Sequence, residues 1–289
     1  VLAWALEHLS EEVVNELLSD REQPSQRWAD KADHQRVRWY QAAQKLRKDA
    51  DEEKKAEIET QISKLVHASE HGDVNVLTSF ESAYKPVLDG MLATLSRLGI
   101  SFDTFTKEST FVVDGSVAKL MRTLDALPIA DTAENGAGFL DLGQRGLKGK
   151  TEFFYRRGDG SSLYATRDVA YHKWKWSQST RLINVLGEDH KLQAKQVGLT
   201  LEELNQQRPE VLFYSFIKLP EGKMSTRQGN VVFMDDLLEE AHAQAADVVL
   251  QLRPEYDEHK ITKIAEAVAT AAVRFNIVKV SPEKGFTFR

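Results

Sequence analysis

Lys223, Ser225 and Arg227 alternate along the stretch Leu219-Pro220-Glu221-Gly222-Lys223-Met224-Ser225-Thr226-Arg227-Gln228-Gly229-Asn230. Two cations with a hydroxyl between them suit the oxygens of a polyphosphate. Gly222 and Gly229 let the backbone bend at either end of the stretch. The bland alternative is a solvated turn, and a five-residue pattern alone favours it. A second set is Tyr164 and Asp168, four apart on a predicted helix and therefore on one face. Its bland reading is a helix-terminal carboxylate beside a half-buried ring. A third is Gly187-Glu188-Asp189-His190, which follows a predicted strand, and ligands of open α/β sheets bind at the carboxyl ends of strands. His67 and His71 are also four apart, but no third ligand lies near them in sequence, so they read as surface histidines and no metal site is expected. The sequence has neither a Gly-x-x-x-x-Gly-Lys-Ser/Thr loop nor a Gly-x-Ser-x-Gly elbow.

The elements that must hold these groups follow from periodicity. The apolar run 211–217 reads as a buried strand entering the Lys223 stretch, and Asp236 with Glu239 reads as the acidic cap of the helix after it. Residues 181–186 read as a buried strand of parallel type, preceded by a helix from Tyr164 through Lys173. This strand–turn–helix–strand order is half of a doubly wound nucleotide fold. Upstream, the pattern predicts an amphipathic helix over 1–19, a linker over 21–30, and charged helices from Lys31 to about His71. A helix from about Thr78 to Leu98 follows, then a β-rich 110–113 and a helix through about Leu127. Short strands and turns are expected over 129–163, and helices over 236–252 and 258–280.

Composition sets outer limits. The 289 residues are 42% hydrophobic and 28% charged, as in a soluble globular chain with a sizeable core. No apolar run reaches the roughly 20 residues of a membrane span. No basic region precedes the apolar opening Val1-Leu2-Ala3-Trp4, so there is no signal-peptide layout, and the chain reads as an internal piece. The absence of cysteine excludes disulfides and thiolate zinc sites and fits a cytoplasmic protein. A net charge of −6 argues against nonspecific coating of nucleic acid but leaves a local basic patch open. Such a patch is offered by 27–48, where Arg27, Lys31, Arg36, Arg38, Lys45, Arg47 and Lys48 face only Asp30 and Asp33, with Trp28, Trp39 and Tyr40 interleaved. The more common reading of such alternation is solvated helical faces.

Taken together, these motifs resemble a class I aminoacyl-tRNA synthetase of the arginyl type. Lys223-Met224-Ser225-Thr226-Arg227 resembles the Lys-Met-Ser-Lys-Ser type of loop in its arginyl form. Asp159-Gly160-Ser161 with Tyr164-Ala165-Thr166-Arg167-Asp168 resembles that family's signature, and Asn184-Val185-Leu186-Gly187-Glu188-Asp189-His190 the strand and turn that follow. The similarity also runs through Leu2-Ala3-Trp4 and Gly99 to Glu108, hence along essentially the whole chain. It implies an α/β, Rossmann-like doubly wound catalytic domain with a large helical insertion. The insertion and the end of the first half-fold would occupy 1–128, the second half-fold 129–240, and the start of a further helical region 241–289.

The implied reaction activates arginine with ATP and Mg²⁺ and transfers it to tRNA(Arg). The resemblance assigns Lys223, Ser225 and Arg227 to the phosphates, and Gly187, Asp189 and Met224 to ATP. It assigns Tyr164, Asp168 and His190 to arginine; some relatives place glutamine where His190 stands. Arg36, Arg38, Lys45 and Arg47 become candidate tRNA contacts. The family's His-x-Gly-His turn and its anticodon-binding domain are not found in these residues, so the piece alone is expected to be inactive. Two rivals stay open: another class I synthetase of lysyl or glutamyl type, and a non-catalytic RNA-binding piece using 27–48.

Overall fold

In the computed structural model, residues 1–21, 26–215, 218–219, 222–223 and 232–279 are described. The helices and strands run in the order α1 (Leu2–His8), α2 (Glu11–Leu17), α3 (Ala32–Asp49), α4 (Glu52–Glu70), α5 (Val74–Arg97), α6 (Thr110–Val113) and α7 (Ser116–Asp125). They continue as β1 (Ala130–Thr132), β2 (Gly138–Asp141), β3 (Glu152–Arg156), α8 (Tyr164–Gln178), β4 (Ile183–Gly187), α9 (Lys191–Glu203) and β5 (Glu210–Tyr214). The last elements are β6 (Lys218–Leu219), β7 (Gly222–Lys223), α10 (Met234–Leu252) and α11 (Glu258–Val278). No helix among the described residues is long and apolar enough to cross a membrane.

The chain divides into two compact units, one of residues 1–62, 79–103 and 217–289, the other of residues 63–78 and 104–216. In the first, the single helix expected over 1–19 is two. The Ser10 hydroxyl accepts from Val13 N–H and restarts the chain as α2, satisfying a backbone donor that an unbroken helix would use otherwise. Val14, Leu18 and Ala42 bury the contact of α2 with α3. Asp51 caps α4 through Lys54 N–H in the same way, which separates α4 from α3. Leu98, Leu238 and Val273 form a second small core where the end of α5 meets the α10–α11 hairpin. The expected linker is in part a short 3₁₀ turn at 26–28, and Trp28 Nε1 donates to Asp236 at 2.6 Å. A half-buried indole with its N–H satisfied is structure, not a tether.

The second unit holds an antiparallel meander β1-β2-β3 and a parallel pair β4-β5 joined by α9. Its core gathers Leu124, Leu140, Leu142, Phe153, Val169 and Leu201. Thr110–Val113, expected as β-rich, forms the short helix α6. Its backbone bonds close locally, Val113 N to Ser109 O at 3.0 Å and Asp114 N to Thr110 O at 2.9 Å, and Phe111 drops into the core. Burial thus overrides the β-propensity of threonine and valine here. The parallel pairing expected of 181–186 and 211–217 is found for β4 and β5, but full burial is not. Ile183, Val185, Leu212 and Tyr214 share one face and are exposed, because no element among the described residues covers it.

Candidate active site

The path into the site starts at the Asp159-Gly160 turn. Gly160 takes a φ of +87°, and Asp159 Oδ1 accepts from the Ser161 amide at 2.9 Å and the Ser161 hydroxyl at 2.6 Å. Those bonds hold the Asp159 carboxyl below its ordinary value. The chain then returns along β3: Leu163 N–H and the Thr166 hydroxyl both donate to the Tyr155 carbonyl, so the first turn of α8 hangs from that strand. Arg157 and Arg167 both reach Glu70, and Arg167 Nε also pairs with Glu108 at 3.2 Å.

Anchored so, α8 turns one face toward a cavity of about 500 Å³. Tyr164, Asp168, Tyr171, His172 and Lys175 line it from α8, and Asn184 and Leu186 from β4. His190 and Gln193 close it at the carboxyl end of β4, with Glu108 and Phe111 opposite. Tyr164 is 54% exposed and stands at the rim, whereas His172 is 3% exposed on the floor. Burial, then the carboxylates of Asp168 and Glu108, raise the Tyr164 hydroxyl above its ordinary value, with Arg167 opposing. The phenol therefore stays a hydrogen-bond donor at neutral pH.

The floor is a hydrogen-bonded chain. His172 Nδ1 lies 2.8 Å from the Asp168 carbonyl oxygen and 3.1 Å from its Oδ1. His172 Nε2 lies 2.8 Å from Asn184 Nδ2 and 3.0 Å from Lys175 Nζ, which also donates to Asn184 Oδ1 at 3.0 Å. Burial lowers the Lys175 ammonium from its ordinary value and Asp168 works against that. Asp168, Glu108 and the Tyr164 phenol, lining one cavity, are groups whose charge and acceptors suit a cationic side chain.

Tyr164, Asp168 and His190, separated in sequence, share this cavity. Gly187 and Asp189 stand at the carboxyl end of β4 beside it, outside the lining. Of the stretch expected to meet phosphates, Lys223 closes the β6–β7 pairing through its backbone opposite Lys218, while Met224, Ser225 and Arg227 lie outside the described residues. On α3, Arg38 donates to Asn15 at 2.6 Å, Lys45 pairs with Asp20 at 2.6 Å, and Arg47 pairs with Glu59. Sequence reasoning missed Glu108, His172, Lys175 and Asn184. The helical step from Asp168 signals His172 and Lys175; nothing local signals Glu108.

A second polar cluster also escaped it. Asp33, His34 and Asp235 bring ligand atoms within 4.8 Å of one another. Lys31 Nζ already sits 3.0 Å from Asp33 Oδ2 and 2.5 Å from Asp235 Oδ2, so the ammonium is the cation of this cluster. A divalent ion such as Mg²⁺ does not fit there, since Lys31 would repel it.

Residues 20–288 match the family described as tRNA synthetases class I (R), catalytic domain. An arginine–tRNA ligase of Methanocella arvoryzae is 43% identical over 289 residues, covering 100% of this chain and 48% of that protein. Another, of Methanoregula boonei, is 37% identical over 288 residues, with 100% and 48% covered. The chain thus spans about half the length of the curated relatives it matches. Among solved structures, an arginyl-tRNA synthetase of Thermus thermophilus superposes with a TM-score of 0.74 at 21% identity, over 99% of this chain and 51% of that one. One of Plasmodium falciparum gives 0.66 at 12% identity, over 96% and 44%. At such identities the likeness speaks for the fold, a class I synthetase catalytic architecture.

Proposed function

Because the chain belongs to the family of class I tRNA synthetases (R), in their catalytic domain, we propose that it carries the arginine site of an arginine–tRNA ligase. The observation that carries this reading is the cavity in which Asp168, Glu108 and Tyr164 converge. A guanidinium is planar, always charged and presents five N–H donors, so two carboxylates and a phenol oxygen suit it better than they suit a point ammonium. A glutamate side chain would meet like charge.

In the proposed reaction the arginine carboxylate attacks the α-phosphorus of ATP. The bond to the bridging oxygen breaks, and pyrophosphate leaves with its charge. A ribose hydroxyl at the end of tRNA(Arg) then attacks the acyl carbon, and AMP departs. Little covalent work falls to the protein, so catalysis is positioning and charge stabilisation. Lys223, with Ser225 and Arg227, is assigned to the charge on the leaving pyrophosphate. Gly187, Asp189 and Met224 are assigned to the nucleotide, and His190, beside Gln193 in the cavity wall, to the amino acid. Any Mg²⁺ travels with the ATP phosphates, and no step is assigned to it. Arg36, Arg38, Lys45 and Arg47 are proposed contacts of the tRNA backbone.

The test is ATP–pyrophosphate exchange by the protein that carries this sequence, with arginine, lysine and glutamate compared and tRNA present. Arginine should support exchange at least about a hundred-fold better than lysine, because a compact ammonium cannot make the paired hydrogen bonds that a planar guanidinium makes to a carboxylate. Preference for lysine or glutamate would refute the assignment.

A further inference from the structure

We propose that His172 is a positioning residue for the substrate cation, locking the Asp168 carboxylate in one orientation through its Nδ1–H. This rests on the reading of Asp168 as the partner of the guanidinium. His172 is 3% exposed and one turn beyond Asp168 on α8, so its ring cannot swing to solvent. Both atoms facing Nδ1 are acceptors, the Asp168 carbonyl oxygen at 2.8 Å and Asp168 Oδ1 at 3.1 Å. The ring therefore carries its proton on Nδ1.

Its other side is specified as tightly. Lys175 has only donors, and it points at both Nε2 and Asn184 Oδ1, each 3.0 Å away. That fixes the amide of Asn184 with its oxygen toward Lys175 and its Nδ2 toward the ring, 2.8 Å from Nε2. Nε2 thus faces two donors and offers a lone pair. Lysine orients the amide, lysine and amide set the imidazole tautomer, and the imidazole holds Oδ1. The other carboxylate oxygen is left for the ligand. An ordinary buried histidine needs one partner at each nitrogen. Here a cation, an amide and a carboxylate converge on one ring beneath a cavity, so β4 is tied through its second residue to the acidic group at the rim.

The test compares His172→Phe, which keeps the bulk and removes the donor, with His172→Asn, whose amide nitrogen can replace Nδ1. In the protein that carries this sequence, His172→Phe should raise the KM for arginine about ten-fold, the worth of a hydrogen bond to a charged group, and leave the KM for ATP within about two-fold. His172→Asn should recover most of the loss, and nitrogen NMR should show the His172 proton on Nδ1. If Asp168→Asn weakens arginine use while His172→Phe leaves it unchanged, or if the proton is on Nε2, the positioning role is overturned and the arginine reading stands. If the wild type prefers another amino acid, the arginine reading fails and this proposal with it. Should His172→Phe fail to fold, Lys175→Met takes its place. It should raise the arginine KM by about three-fold or more, and an unchanged value would overturn the proposal.

Discussion

Asp168 and Glu108 are both carboxylates at the rim of one cavity, yet they are not equivalent. The Asp168 side chain is 25% exposed and held from below by His172, whereas Glu108 is 43% exposed and already tied to Arg167. If Asp168 pairs the guanidinium as proposed, removing its charge leaves that desolvated cation without its main partner, at a cost of about 3–5 kcal/mol. Asp168→Asn should therefore lower kcat/KM for arginine by on the order of 10²–10³-fold. Glu108→Gln removes a charge that water and Arg167 already screen, so its effect should stay within about ten-fold. Steady-state exchange kinetics on the two variants check the order, and the reverse ranking would make Glu108 the main partner. The pairing of Tyr164 with Asp168 was readable because four residues make about one helical turn. Glu108 was not, because α6, α7 and the meander intervene between it and α8.

The start of α10 shows what a helix end can do when its local cap is absent. Asp236 and Glu239 read as a capping pair, but Phe233 is the residue at the cap and makes no side-chain bond there. The acids of the first turn are spent on tertiary contacts instead. Trp28 takes Asp236, while Lys31, His34 and Thr94 converge on Asp235, which is 4% exposed. Burial alone would push the Asp235 carboxyl up, but the hydrogen bonds from Lys31, His34 and Thr94 outweigh it and hold it below the ordinary value of 3.8. A depressed folded pKa means that this contribution is complete above the unfolded value, near pH 4, and is lost as pH falls through the lower folded value. Asp235→Asn should thus cost about 3 kcal/mol at neutral pH, by breaking a buried pair, and flatten the loss of stability below about pH 4. Denaturant melts of both proteins at pH 7 and in the acid range check this. An acid slope equal to the wild type's would remove Asp235 from the account.

For the whole molecule, a net charge of −6 means that any binding of a polyanion must be local. The basic positions of α3 are where the sequence concentrates positive charge, and Arg38, Lys45 and Arg47 make partly exposed internal contacts, the latter two as ion pairs. Such solvent-screened ion pairs contribute little, so phosphates can replace their acidic partners at little cost. Neutralising Arg36, Arg38, Lys45 and Arg47 together should weaken tRNA binding and reduce the slope of log K against log salt by about 0.7–0.9 for each phosphate no longer neutralised. A slope unchanged from the wild type would leave these residues as a solvated surface.

What the sequence by itself determined about this protein is what short-range physics controls. The period of α8 put Tyr164 and Asp168 on one face, the order around α9 foretold a parallel pair, and the alternation of Lys223, Ser225 and Arg227 marked the stretch proposed to meet phosphates. Each depends on residues within a few turns of one another. Only the tertiary structure decided the rest, because burial is a property of neighbours from elsewhere in the chain. It drew Phe111 and its β-branched neighbours into a helix. It left Ile183 and Val185 of an apolar strand exposed, and it converted Lys31, which reads as surface charge, into the counterion of Asp235. The cavity beside α8 belongs to both accounts. Its Tyr164–Asp168 side is written in one helix, whereas Glu108 reaches it from before α6, and its floor of His172, Lys175 and Asn184 exists only because β4 is brought against α8.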